Sequence, residues 1–110
     1  MKQINAYIQP FMIGKVTDAL REQNVHGVTV LSCRGFGHTS QGSGLHNEET
    51  VGLEEKIKLE IICADAEKDA ILAVIREHAR TGRHGDGKIF ISTIDEVEDI
   101  RTGAKGEALV

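Results

Sequence analysis

The sequence predicts an α+β fold in which one antiparallel β-sheet carries two helices on a single face. Four segments either alternate apolar and polar residues or are rich in β-branched residues, and two others carry apolar residues at helical spacing. These segments follow one another in the order βαβ, a long irregular stretch, and βαβ again. In both halves a glycine separates the helix from the next strand. This order is typical of the ferredoxin-like βαββαβ arrangement.

The first half of the chain predicts two strands with a helix between them. Residues 2–8 (KQINAYI) alternate polar and apolar side chains, which is typical of a half-buried strand. Residues 11–22 place apolar side chains on one helical face, and Asn24 and Gly27 are expected to end this helix. Residues 28–34 (VTVLSCR) are β-branched and apolar, so they predict the second strand.

The second half repeats this pattern and adds a polar tail. Alternation predicts strands over residues 55–64 and 88–93. Between them, apolar residues at helical spacing predict a helix with Asp65 as its N-cap and Gly82 as its stop signal. The tail that follows is expected to form a short turn and then an edge segment or a flexible terminus.

The composition is that of a single globular domain, residues 1–110. A net charge of −4 argues against general nucleic-acid binding, which needs a basic surface. Cys33 and Cys63 form no CxxC pattern, the opening residues do not resemble a leader peptide, and no apolar run has membrane-spanning length. We therefore expect a cytoplasmic protein with reduced thiols that is not itself a membrane protein.

A glycine-rich stretch before the last strand is the strongest candidate binding site. Residues 81–88 (TGRHGDGK) combine three glycines with Lys88, and glycine N–H groups next to a lysine suit a phosphate. The spacing is that of a Walker A loop up to Ile89, which replaces the final Ser/Thr. The loop also follows a helix instead of preceding one, so a P-loop NTPase is excluded. A helix cap and turn is the alternative interpretation of these residues.

Two other features bear on function. Arg101 offers a second cation for a phosphate, and the run Gly35-Phe36-Gly37 opens a long polar loop of the kind that is usually functional in a small domain. In an alternative interpretation, Cys33, His38 and His46 would bind a metal, although no pair has the close spacing of a zinc site. No catalytic triad or nucleophile motif is present, so we expect no enzymatic activity.

Several segments resemble the signatures of one known family. TGRHGDGKIFIS closely resembles the sequence TG-(K/R)-x-GDGKIF, and IRTGAKGEAL resembles a closing IRTGE segment. IQPFMIGKVTDAL resembles IKPFKLDEVKEAL, and GVTV with RGFG resembles GMTV with KGFG. These are signatures of the PII signal-transduction family (nitrogen regulatory protein P-II), and the chain resembles a divergent member of it.

The resemblance implies a ferredoxin-like homotrimer that binds an adenine nucleotide (ATP, ADP or AMP) in clefts between subunits. A T-loop, about residues 37–53 here, would contact a regulated enzyme or transporter. A B-loop, about residues 81–88, would bind phosphate, and a C-terminal tail would cover about residues 99–110. The residues that match the family's nucleotide-binding positions are Thr29, Gly35, Phe36, Gly37, His38, Gly85, Asp86, Gly87, Lys88 and Arg101.

The chain departs from the family pattern at several functional positions. Its only tyrosine is Tyr7, so the T-loop tyrosine that is uridylylated in the family has no counterpart. Thr39 replaces the glutamine that helps to hold Mg and 2-oxoglutarate, which argues against 2-oxoglutarate sensing and leaves Mg binding open. Gln9 replaces a lysine and Asp99 replaces the first tail arginine, whereas Lys56 matches the family. Lys56 and Thr39 are the candidate contacts for an effector or small anion.

Two regulatory functions follow from the resemblance. The first is a nucleotide-binding regulator of nitrogen metabolism that controls its partner through the T-loop. The alternative is a regulator of a different system, such as a bicarbonate or heavy-metal efflux transporter, that senses a metal or small anion.

Overall fold

The computed structural model describes residues 1–37 and 53–110 of the chain. Four strands and two helices follow in the predicted order. They are β1 (Lys2–Ile8), α1 (Ile13–Glu22), β2 (Thr29–Gly35), β3 (Glu54–Cys63), α2 (Lys68–Ala79) and β4 (Gly87–Thr93). Short 3₁₀ turns precede both helices and a third lies near the C-terminus: Pro10–Met12, Asp65–Glu67 and Glu107–Leu109.

The four strands form one sheet in the order β2-β3-β1-β4, and each neighbouring pair is antiparallel. Ala6 of the central strand β1 lies opposite Leu59 of β3 and Ile89 of β4. This topology, with two helices and an antiparallel sheet, confirms the predicted ferredoxin-like fold.

The core lies between the two helices and one face of the sheet. Alternation in β1 and β3 turns their apolar residues to that face, because successive side chains of a strand point to opposite faces. Among the fully buried side chains are Ile4, Ile8, Leu59, Ile61, Cys63, Val16, Leu20, Ile71 and Ile75. The edge strands are less covered, and Val30 of β2 and Ile91 of β4 remain 46% and 45% exposed.

Helix α1 ends as the sequence predicts. Asn24 adopts a left-handed conformation with φ 62°. The N–H of Val25 donates to the carbonyl of Leu20 (3.1 Å), and the N–H of Asn24 donates to that of Arg21 (3.0 Å). These two bonds are the Schellman pattern, in which Asn or Gly tolerates the left-handed residue.

The predicted ends of helix α2 are wrong at both termini. Asp65 does not cap the helix: a 3₁₀ turn begins with it, and its carboxylate instead forms an ion pair with the amine of Met1 at 2.9 Å. The helix also ends at Ala79, and Arg80 is already extended (φ −78°, ψ 130°). Gly82 has φ 89°, but it lies within the following loop. It lies three residues beyond the last helical residue, and its N–H donates to the carboxylate of Asp86.

The tail forms a short turn at residues 99–104. The N–H of Asp99 donates to the carbonyl of Ala104, and the N–H of Gly103 donates to that of Asp99, both at 2.8 Å. The Asp99 carboxylate accepts the N–H of Thr102 at 3.0 Å, which lowers its pKa below the ordinary value. Asp99 therefore has a structural role in this turn. Within the described ranges, no helix has the length and apolar character needed to cross a membrane.

Candidate functional site

Three chain segments meet at one end of the sheet. Gly35 at the end of β2 pairs with Glu54 at the start of β3, and Ile8 at the end of β1 pairs with Gly87 at the start of β4. Antiparallel pairing therefore brings the end of β2, the start of β3 and the loop before β4 to the same end of the sheet. A cleft of about 450 Å³ lies among these segments. Glycines, one phenylalanine and charged side chains line it: Gly35, Phe36, Gly37, Lys56, Arg83, Gly85, Asp86, Gly87 and Lys88.

This cleft brings together most of the residues that the sequence predicted. The hinge Gly35-Phe36-Gly37, Lys56 and the B-loop residues Gly85 to Lys88 share one cavity, although up to 53 positions of sequence separate them. Arg83 lines the cleft but was not among the predicted ligands. Its position among the glycines of the B-loop is the sequence feature that could have identified it. Gln9 was noted only as a departure from the family pattern. Its contact with the B-loop could not be inferred from sequence.

Gly87 must be a glycine for a steric reason. Its φ is 110°, a conformation that L side chains rarely adopt. A Cβ atom built on it would lie 1.7 Å from the carbonyl oxygen of Tyr7. Because this oxygen belongs to the backbone of the central strand, it cannot move aside. The absence of a side chain thus lets the B-loop join the sheet beside β1.

Asp86 organises the B-loop internally. Its carboxylate accepts the backbone N–H of Thr81 (2.8 Å), the backbone N–H of Gly82 (2.9 Å) and the hydroxyl of Thr81. The hydroxyl of Thr81, followed by these N–H donors, lowers the pKa of Asp86 below its ordinary value. The carboxylate is therefore ionised at neutral pH and engaged within the loop. Asp86 therefore contributes to the candidate site by holding the backbone of Thr81 and Gly82 in place.

The carbonyl of Gly85 accepts hydrogen bonds from two side chains. Gln9 donates to it through Nε2 at 2.6 Å, and Lys56 donates through Nζ at 2.9 Å. Gln9 follows β1 and Lys56 lies in β3, so both bonds tie the B-loop to the sheet. Gly85 has φ 94°, which its lack of a side chain makes accessible.

Cations dominate the charge of the cleft. Of the residues that the structure describes, Lys56, Arg83 and Lys88 line it together with one carboxylate, that of Asp86, which its own loop neutralises in part. Lys88 and Arg83 form no ion pair with any carboxylate in residues 1–37 and 53–110. Side chains with free positive charge beside glycine-rich backbone provide what a multiply charged anion needs.

Two predicted site residues lie outside this cleft. Thr29 begins the edge strand β2 and pairs with Glu60 of β3, on the face opposite the helices. Arg101 lies in the tail, which leaves the sheet at Thr93, whereas the B-loop enters it at Gly87. Seven residues of strand span about 20 Å. Thr29 and Arg101 do not line the cleft that contains Lys88.

The sheet face opposite the helices carries an aromatic pair. The rings of Tyr7 and Phe90 meet edge to face, with their centroids 5.9 Å apart. The ammonium of Lys58 lies 5.9 Å from the centroid of Tyr7 and forms an ion pair with Glu60 at 2.9 Å. Lys88 of β4 pairs with Tyr7 of β1. Lys88 therefore lies on the same face of the sheet as the aromatic pair.

The metal-binding alternative gains no support from the part of the chain that the structure describes. His38, Thr39 and His46 lie outside the described residues. Cys33 is half-buried, and its thiol donates to the carbonyl of Lys56 at 3.5 Å. No group of three His, Cys, Asp or Glu residues in the described ranges is arranged to hold a metal ion.

Comparisons with known proteins agree with this architecture. A family model described as nitrogen regulatory protein P-II matches residues 1–104. Nitrogen regulatory protein P-II of Rhizobium meliloti (strain 1021) is 43% identical over 108 residues, which cover 96% of both chains. The protein of the same name from Azospirillum brasilense is 40% identical with the same coverage. That of Pasteurella multocida (strain Pm70) is 38% identical over 109 residues and 97% of both chains.

Proposed function

The chain belongs to the nitrogen regulatory protein P-II family, and from this premise we propose that it is a cytoplasmic regulator that binds an adenine nucleotide. The nucleotide is ATP, ADP or AMP, and its phosphates bind in the cleft at the B-loop. The bound state then controls a partner enzyme or transporter through the segment between β2 and β3. The protein performs no catalysis in this proposal.

The observation that carries the proposal is the composition of the cleft. Lys56, Arg83 and Lys88 surround a loop whose glycines at 85 and 87 both adopt positive φ. Such backbone can turn N–H groups toward an anion, and the three cations supply the charge that a nucleotide's phosphates need. The loop follows a helix, so this cradle is distinct from a P-loop.

A second copy of the chain would complete the site. Lys88 is the second residue of β4, whereas Arg101 follows the other end of this strand and does not line the cleft. We therefore propose that Arg101 of one protomer reaches the B-loop of its neighbour in a homotrimer. Apolar side chains exposed on both edge strands support self-association, because uncovered edges of this kind favour pairing with another chain: Val30 and Leu31 of β2, and Phe90 and Ile91 of β4.

Isothermal titration calorimetry with ATP, ADP and AMP tests the proposal. We expect at least one nucleotide to bind the unmodified protein. Lys88→Ala should weaken that binding at least tenfold, because a charge-assisted bond to phosphate contributes about 1.5–3 kcal/mol. Lys15→Ala is the matched control, since Lys15 is an exposed lysine of α1 away from the cleft.

Absence of binding for all three nucleotides would contradict the proposal, and so would equal affinity of Lys88→Ala and the unmodified protein. Loss of binding in Lys15→Ala would show that the lysine substitution acts through general charge instead of through the cleft.

A further inference from the structure

The strongest unassigned feature is the double hydrogen bond to the carbonyl of Gly85. Gln9 and Lys56 donate to this single oxygen at 2.6 Å and 2.9 Å. The two donors are 47 positions apart in sequence and lie on different segments, and Lys56 also lines the cleft. A carbonyl oxygen has two lone pairs, so it can accept both bonds at once.

The position of Gln9 is itself fixed. It is extended (φ −67°, ψ 137°) immediately before Pro10, as expected for a residue that precedes a proline. Its own carbonyl accepts the N–H of Met12 at 3.0 Å, which anchors its backbone to the 3₁₀ turn. The amide of Gln9 therefore reaches the B-loop from a rigid base.

These bonds fix the orientation of the Gly85–Asp86 peptide at the cleft. In a trans peptide the C=O and the N–H point in opposite directions. The Gly85 carbonyl points toward Gln9 and Lys56, so the N–H of Asp86 points away from them. If this peptide rotated, a carbonyl oxygen would replace that N–H and would repel an anion. Glycine at position 85 has little intrinsic barrier to such a rotation, so external donors are needed to prevent it.

We propose that Gln9 is a positioning residue for the anion site and that Lys56 is a releasable one. In the free protein both hold the Gly85 carbonyl. When an anionic group enters the cleft, the ammonium of Lys56 transfers to it, because a charged donor bonds an anion more strongly than a neutral carbonyl. Gln9, a neutral amide with less attraction to the anion, keeps the peptide in place. The identity of the anion as a nucleotide phosphate rests on the proposed function.

Affinities of ATP and of inorganic tripolyphosphate, measured by calorimetry, test this division of roles. Gln9→Leu keeps the approximate side-chain volume but cannot donate, and we expect it to weaken binding of both anions about five- to tenfold. Gln9→Lys retains a donor and adds a charge that attracts the anion, so it should bind both anions at least as tightly as the unmodified protein. Gln23→Leu, the same change at the exposed end of α1, is the matched control and should leave both affinities unchanged.

A structural measurement separates positioning from general stabilisation. Hydrogen exchange without ligand should become faster at residues 82–87 in Gln9→Leu, while the amides of β1 and β3 keep their protection. In a crystal structure with ATP, the ammonium of Lys56 should contact the phosphate and the Gln9 amide should still contact the Gly85 carbonyl. A complex in which Lys56 stays on that carbonyl, or in which Gln9 leaves it, would overturn the proposal.

The outcomes distinguish this inference from the proposed function. If the unmodified protein binds ATP and Gln9→Leu binds it equally well, the inference alone fails. If the unmodified protein binds tripolyphosphate but none of the nucleotides, the proposed function fails and the roles of Gln9 and Lys56 are tested with tripolyphosphate. If it binds neither anion, both fail.

Discussion

Gly82 and Gly87 both lie in the B-loop with positive φ. The sequence alone does not distinguish the glycines at 82, 85 and 87 from one another, yet their surroundings in the structure differ. A Cβ on Gly82 would meet nothing within 4 Å, whereas one on Gly87 would collide with the backbone of Tyr7. The pattern could predict a glycine loop. It could not show which glycine is sterically required, because that depends on a strand about 80 positions earlier in the chain.

Substitution of Gly87 should therefore be among the most damaging changes in the molecule. We expect Gly87→Ala to lower the free energy of unfolding by about 3 kcal/mol or more, because both the positive φ and the contact with Tyr7 oppose a side chain. Urea denaturation followed by circular dichroism measures the change. Gly14→Ala is the control: Gly14 lies in α1 with open space around its Cα, so alanine should be neutral or stabilise by up to about 1 kcal/mol. Equal stability of Gly87→Ala and the unmodified protein would contradict the steric argument.

At the scale of elements, the sequence predicted strands better than helix ends. Ile4, Ala6 and Ile8 identify the buried face of β1 directly, because the alternation of a strand is a local property. Helix ends depend on competing partners. Asp65 pairs with the amine of Met1 instead of capping α2, and the bonds of Asp86 begin the B-loop before Gly82. Such competition between distant groups leaves no local pattern.

The B-loop should depend on the charge of Asp86, and so on pH. A carboxyl group with a lowered pKa in the folded state stabilises the fold above its ordinary pKa of about 4. That contribution is lost as pH falls through the lowered value. We expect Asp86→Asn to lower the free energy of unfolding by about 1 kcal/mol at pH 7, because the bonds to Thr81 and Gly82 lose their charge.

Urea unfolding at several pH values from 7 to 3 measures this dependence. The difference between Asp86→Asn and the unmodified protein should shrink toward the acid end. Asp18→Asn is the control, since the ion pair that Asp18 forms with Arg21 is exposed, and this change should alter stability by less than about 0.5 kcal/mol. A stability difference for Asp86→Asn that grows as pH falls would have the wrong sign for this mechanism.

At the scale of the whole molecule, the sequence predicted that Lys88 and Arg101 share a site between subunits, and within one protomer Arg101 does not line the cleft that contains Lys88. Spacing along the chain could not reveal this, because thirteen positions are compatible with either neighbouring or distant side chains. The direction of β4 decides the matter: the B-loop lies at its first residue and the tail follows its last. The remaining predicted contacts, His38 and Thr39, lie outside the described residues.

Mixing two inactive variants tests whether neighbouring protomers share the site. Lys88→Ala and Arg101→Ala should each bind nucleotide at least tenfold more weakly when alone. Refolded together in equal amounts, they should regain about a quarter of the sites, because an intact B-loop then faces an intact Arg101 at that fraction of the interfaces in randomly mixed trimers. Calorimetric stoichiometry measures the recovery, and sedimentation should give three times the chain mass of 12.0 kDa. Mixtures that regain no sites would contradict a shared site.

The opposite ends of β4 have a further thermodynamic consequence. If each ligand needs the first residue of this strand from one chain and the residues after the last from another, binding and assembly are linked equilibria. Ligand must then favour association to the same extent that association favours ligand. The apparent affinity would fall on dilution once chains begin to separate, and saturating ligand would raise the midpoint of thermal unfolding in a way that depends on protein concentration.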